Sequence, residues 1–99
     1  MSRHAAKVDA NQTAVIKALR DAGATVFSLA GVHSGCPDLL VGISMQTYLV
    51  EVKDGDKPPS ARQLTPDQVK FISTWEGSPV VILKDADIAR AWATRMRTR

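Results

Sequence analysis

The chain has 99 residues, 44% of them hydrophobic, which suits one domain around one modest core and excludes a disordered polymer. No apolar run approaches the ~20 residues of a membrane span, and the N-terminal run MSRHAAKVDANQ lacks the apolar segment of a secretory signal. A formal net charge of +3 permits a nucleic-acid partner without requiring one, and a single cysteine, Cys36, excludes an internal disulfide and, with no CxxC pair or His/Cys cluster, gives no zinc signature.

A reducing, cytoplasmic setting is expected. The basic residues gather at the ends: Arg90, Arg95, Arg97 and Arg99 at one, Arg3 and Lys7 at the other. They read either as solvated termini or as phosphate contacts.

Val15, Ile16, Leu19 and Ala22 recur at helical spacing and predict a first helix over 8–22. Asp9 as N-cap and Gln12 three residues on would form a capping box, and Gly23 ends the helix. The alternative is a start near Arg3, with Asp9 and Gln12 inside the helix. TVFSLA (25–30) predicts a strand between glycines. GVHSGCP (31–37) follows as a loop in which glycine permits close backbone approach. Strands are expected over 38–43 and 46–53, joined by a turn at Ser44 and Met45, neither of which favours turns.

DGDKPPSAR (54–62) reads as a mobile surface loop of the kind that closes over substrate beside an active site. Thr65, Pro66 and Gln68 then write a second helix start, with Thr65 as cap, Pro66 at N1 and Gln68 completing a capping box. Val69, Phe71, Ile72 and Trp75 give that helix an apolar surface, and Gly77 terminates it. PVVIL (79–83) predicts a buried strand. Asp85 caps a last helix with Ile88, Ala91 and Trp92 inward and its arginines outward. The order α-β-β-β-α-β-α predicts one mixed α/β domain over 1–99, built on a single sheet.

The hairpin of strands two and three carries the chemistry. Asp38, Glu51 and Lys53 interrupt otherwise apolar strands, where a charge costs several kcal/mol unless paired or bound to metal. A turn centred between Ser44 and Met45 sets Ile43 opposite Gln46, and counting outward sets Asp38 opposite Glu51. Directly opposed residues have Cβ atoms about 5 Å apart. Lys53, two residues past Glu51, projects from the same face.

Two carboxylates that close repel unless a cation lies between them. Oxygen donors suit Mg²⁺, and the carbonyl of Val52 can add a third. Lys53 would orient a metal-bound water, favour its deprotonation, or stabilise charge on a phosphate oxygen. The plainer alternative is a surface ion pair of Lys53 with Asp38 or Glu51 and no metal.

GCPDLLVG followed by LVEVK resembles the PD-(D/E)XK nuclease signature, here Pro37-Asp38 and Glu51-Val52-Lys53. More narrowly, the run DANQ in the first helix, the G-x-PDLL and EVK strands and the S-x-R-x-L-T-x-x-Q helix start are similar to the small stand-alone virus-type replication-repair nuclease (VRR-NUC) domains, over most of residues 7–84. The resemblance implies a restriction-endonuclease-like core, a central mixed sheet flanked by helices. It implies a DNA endonuclease using Mg²⁺, with Mn²⁺ able to substitute. Asp38 and Glu51 would hold metal and Lys53 would serve catalysis.

Gln68 matches a family glutamine near the site, besides its reading as a helix cap. The usual helix-one Glu is missing, because no Glu precedes Glu51. Asp9 or Gln12 would stand in its place, Gln12 through a water, although Gln12 also suits the capping box. The same resemblance implies branched DNA as substrate, a homodimer of the Holliday-junction-resolvase type, and a phage or prophage source. A nickase, a flap nuclease, or an inactive DNA-binding module of the same fold are the alternatives.

Further residues have two readings each. His33 would touch phosphate or act as an acid, or is a surface group. Cys36 packs as a small apolar residue. Lys57, Arg62 and Lys70 form a phosphate-binding rim or are solvated. Trp75 and Trp92 fit packing better than base stacking.

Overall fold

A computed structural model of the chain describes residues 10–61 and 63–98. The expectations that fall on Arg3, Lys7, Val8, Asp9, Arg62 and Arg99 lie outside the described residues. The elements run α1 (Ala10–Asp21), β1 (Thr25–Ser28), β2 (Leu39–Ile43), β3 (Gln46–Val52), α2 (Pro66–Thr74), β4 (Val81–Leu83) and α3 (Ala86–Arg97), with a 3₁₀ turn at Pro59–Ala61. The class is mixed α/β, with one four-stranded mixed sheet and three α-helices among the described residues.

The strand order is β1-β2-β3-β4. The first three are antiparallel neighbours, and β4 lies parallel to β3. The hairpin register follows the expected count. Ile43 pairs with Gln46 and the ladder runs without a slip to Leu39 opposite Val50, so its next step sets Asp38 beside Glu51. The turn reaches this register at a local cost. Ser44 (φ 51°) and Met45 (φ 65°) both adopt the left-handed region, the pattern of a type I′ turn that favours Asn-Gly.

One face of the sheet is the core. Val26, Leu39, Val41, Ile43, Val50 and Leu83 meet Val15, Ala18 and Leu19 of α1 and Ala89, Trp92 and Ala93 of α3. Each fully buried Leu or Val contributes roughly 1.5–3 kcal/mol relative to exposure. Alternation along the strands turns Phe27, Leu40, Leu49 and Glu51 to the opposite face. Trp92 is buried edge-on against Tyr48, ring centroids 5.1 Å apart, which fits its packing role.

Several expected boundaries and faces differ. In α3 the inward residues are Ala89, Trp92 and Ala93, whereas Ile88 and Ala91 face solvent. The small alanines let α1 and α3 approach closely, and this selects a face one position away from the isoleucine. β1 stops at Ser28, and β4 is a short edge strand in which Leu83 is buried and Ile82 is exposed. An edge strand is covered on one face here, so an apolar run does not mean full burial.

The helix α2 ends at Thr74 with Trp75 as its C-cap, and Gly77 lies beyond. A Cβ at Gly77 would meet the Trp75 indole at 2.6 Å, so this glycine makes room for the ring. Trp75 is exposed and stacks on Phe71. No residue of α2 is fully buried: of the expected apolar surface, Phe71 and Ile72 are half-buried and Val69 and Trp75 are exposed. The 54–62 loop is organised by Asp54, whose Oδ1 accepts the Asp56 N–H at 2.9 Å and whose carbonyl accepts the Lys57 N–H at 3.1 Å.

Candidate active site

Asp38 stands one residue before β2 and Glu51 one residue before the end of β3. The Asp38 carbonyl accepts the Leu29 N–H at 2.8 Å, which extends the β1–β2 pairing and fixes its backbone. Its side chain turns to β3, where Oδ2 accepts the Val52 N–H at 2.7 Å. An extended residue presents its N–H and C=O to the same side of the strand. The Val52 carbonyl therefore points to the side occupied by Asp38.

Lys53 follows the last ladder pair, and its N–H donates to the Leu83 carbonyl at 3.0 Å. Its Nζ lies 3.6 Å from Oε2 of Glu51.

Gln68 completes the group from α2. Its Oε1 accepts the Lys53 ammonium at 2.9 Å and the Thr65 backbone N–H at 2.9 Å, while its Nε2 donates to Glu51 Oε2 at 3.0 Å. An ammonium and a backbone N–H can only donate, so the amide has one satisfactory orientation. The Thr65 hydroxyl accepts the Gln68 N–H, and the capping box expected from Thr65 and Gln68 is formed. Helix cap and site residue are thus one side chain in two roles.

The start of α2 is brought over the sheet by the 31–37 loop. Gly35 (φ 77°) packs so closely that a Cβ there would lie 2.2 Å from the Asp67 carbonyl oxygen. Only glycine fits, by space and by backbone region alike.

Electrostatics separate these groups. Glu51 is only 3% exposed. Burial pushes its carboxyl up from 4.5 to about 7. The Asp38 carboxylate adds to this by charge and by hydrogen bonding, and Lys53 opposes it. A carboxyl held this high by burial, and further by a neighbouring carboxylate, is one that a cation would ionise. Cys36 is half-buried, and burial together with the Asp38 and Glu51 charges pushes its thiol up, which favours a neutral packed thiol.

Asp38, Glu51, Lys53 and Gln68 are therefore brought together on the face opposite α1 and α3. Gln12 is half-buried in the first turn of α1. Its neighbour Asn11 reaches the ends of β3 and β4. The Asn11 Nδ2 donates to the carbonyls of Lys53 at 3.2 Å and Lys84 at 3.1 Å. The DANQ run includes Asn11, but nothing local in the sequence signals its partners, which are 42 and 73 positions away.

His33, Lys57 and Lys70 are exposed. Arg90 acts on Asp21 and the Arg97 guanidinium packs on Gly23, which sets both on the α1 side and away from the carboxylates.

The donor set is carboxylate and carbonyl oxygen, which suits a hard divalent cation. Asp38, Glu51 and the Val52 carbonyl fit such an ion by chemistry and by side. Among the described residues no group of three or more His, Cys, Asp or Glu gathers where it could hold a metal, so protein donors are few. No helix among the described residues is long and apolar enough to cross a membrane. Comparison of the chain with protein families, with curated proteins and with solved structures finds no match in any of the three.

Proposed function

We propose that the chain is a divalent-metal-dependent DNA endonuclease of the PD-(D/E)XK type, a VRR-NUC domain on a restriction-endonuclease-like core. The observation that carries this reading is the convergence of Asp38, buried Glu51, Lys53 and Gln68 into one hydrogen-bonded group. Each of these positions also belongs to the nuclease signature that the sequence resembles.

Asp38, Glu51 and the Val52 carbonyl would hold Mg²⁺ or Mn²⁺, with Gln12 a candidate outer contact through water. When bound, the cation neutralises phosphate charge and lowers the pKa of an attacking water. Lys53 places its ammonium beside the carboxylates, where it orients the water by donation and stabilises charge on the phosphate oxygen. Gln68 holds Lys53 and Glu51 apart at a fixed spacing, since each bonds a different end of one amide. The water oxygen bonds to phosphorus as the bond to the leaving sugar oxygen breaks; the water gives its proton to solvent and the leaving oxygen takes one from solvent.

We assign branched DNA as substrate and a homodimer as the working unit, as in a Holliday-junction resolvase, where two cuts need two sites. A nickase or flap nuclease uses the same chemistry. An inactive DNA-binding module is the second reading, favoured by the presence of only two carboxylates at the site among the described residues.

Incubation of the protein with four-way junctions, flaps and linear duplex, in Mg²⁺, Mn²⁺ or EDTA, tests this. Metal-dependent cleavage of branched DNA is expected, from a species of dimer mass in solution. DNA binding without cleavage in any metal refutes the enzyme and supports the binding module. Neither binding nor cleavage refutes both.

A further inference from the structure

Lys53 is the first residue after β3, where the chain enters a glycine- and proline-containing loop. A lysine at a strand end normally has a backbone free to fray. Here both of its main-chain groups are tied. The N–H donates to Leu83 of β4, and the carbonyl accepts from Asn11 of α1. Fixing both groups fixes the direction in which the side chain leaves the backbone. Gln68 and Glu51 then hold the far end, at Nζ.

Asn11 does this with a single amide. Strands β3 and β4 are parallel, so their C-terminal ends emerge together. The Lys53 and Lys84 carbonyls lie beyond the last ladder pair, and the Lys84 carbonyl also accepts the Gly55 N–H at 3.1 Å. One NH₂ group carries two donors, and Asn11 spends one on each carbonyl. The partners are both carbonyls, so the nitrogen must face them. Aspartate has the same shape and no donor, and would set a negative charge against two carbonyl oxygens.

We infer that Asn11 is the positioning residue for Lys53, acting through the lysine's backbone carbonyl rather than on substrate. This inference rests on the proposed role of Lys53 in hydrolysis, and it reaches beyond that role by making α1 part of the site's frame. It also places the carbonyl of Val52, one residue earlier, under the same control.

The test compares wild type with Asn11→Asp and Asn11→Ala. Ile16→Val, a half-buried position on the same helix, serves as a stability control. The first readout needs no cleavage: the rate at which an amine-acylating reagent labels Lys53, relative to exposed Lys17, followed by mass spectrometry. Lys53 is 15% exposed and held by two partners, so its labelling is slow in the wild type. Both Asn11 variants are expected to label Lys53 several-fold faster, and Ile16→Val at the wild-type rate. On cleavable DNA, the Asn11 variants should lose about 10–100-fold in kcat at nearly unchanged KM, the signature of a misplaced group rather than lost binding.

Unchanged Lys53 labelling in both Asn11 variants overturns the inference, whatever the DNA result. Equal acceleration in Ile16→Val also overturns it, because the effect is then general loosening. Faster Lys53 labelling in a protein that cleaves no DNA upholds the positioning and refutes the nuclease reading alone.

Discussion

Replacing Glu51 by glutamine should stabilise the metal-free protein at alkaline pH. The folded carboxyl stands at about 7 against 4.5 for an ordinary glutamate, because it is buried beside Asp38. A raised folded value means the native state holds the proton more tightly than the unfolded chain. The stabilisation from this proton is complete below pH 4.5 and is lost as pH rises through about 7. At ~1.4 kcal/mol per pH unit, the loss reaches about 3 kcal/mol by pH 8.

Glutamine mimics the protonated acid. Its oxygen can accept from Gln68 and its NH₂ can donate to Asp38. The assay is thermal unfolding of both proteins in EDTA from pH 4.5 to 8.5, then at pH 8 with Mg²⁺. For a chain of this size about 1 kcal/mol moves Tm by roughly 4–8 °C. The variant should therefore melt roughly 12–24 °C above wild type at pH 8 and within a few degrees of it at pH 4.5. Mg²⁺ should raise the wild-type Tm at pH 8 and leave the variant nearly unmoved. A Glu51→Gln protein that is less stable than wild type at pH 8 in EDTA would refute the reasoning, since Glu51 would then be a satisfied ion-pair partner of Lys53.

Three other outcomes are expected. Ser44→Asn with Met45→Gly should raise stability by about 1–2 kcal/mol in urea titration with an unchanged m-value, because both residues now occupy left-handed backbone. Gly35→Ala should cost at least about 1 kcal/mol and speed amide exchange across α2, because the new methyl meets the Asp67 carbonyl. Lys53→Ala should abolish DNA cleavage while DNA and Mg²⁺ affinity stay within a few-fold; a folded variant that still cuts at the wild-type rate removes Lys53 from the chemistry.

The hairpin was legible because two simple rules govern it. A two-residue turn fixes the register, and a period of two fixes the face, so Asp38, Glu51 and Lys53 meet as counted. The role of Gln68 was half-legible: its capping box is a local pattern, but its reach to Glu51 and Lys53 depends on where α2 lands. The inward face of α3 was misread because hydrophobicity ranks Ile88 above Ala89, whereas close helix packing ranks by size. Asn11 stands in the DANQ run, but its role was illegible for the same kind of reason. A long-range amide bridge depends on two strand ends arriving side by side, and no spacing in the sequence records that.

The absence of buried residues in α2 has a consequence for how the site is built. A nine-residue helix with no fully buried side chain, only Gln68, Phe71 and Ile72 half-buried, gains little from its own hydrogen bonds. What holds its first turn over the sheet is the backbone contact with Gly35 and the bonds of Gln68 to Glu51 and Lys53. Docking of α2 and assembly of the site are therefore one event. Protonation or cation binding at Glu51 changes the charge that Gln68 faces, and so changes how firmly α2 sits. Elements of this kind belong to the low-stability end of a fold, where opening costs less than global unfolding. The rigid part of the site is the sheet, with Asp38 tied to Val52 and Lys53 tied to Leu83 and Asn11. The yielding part is α2, and its one polar finger into the site is Gln68.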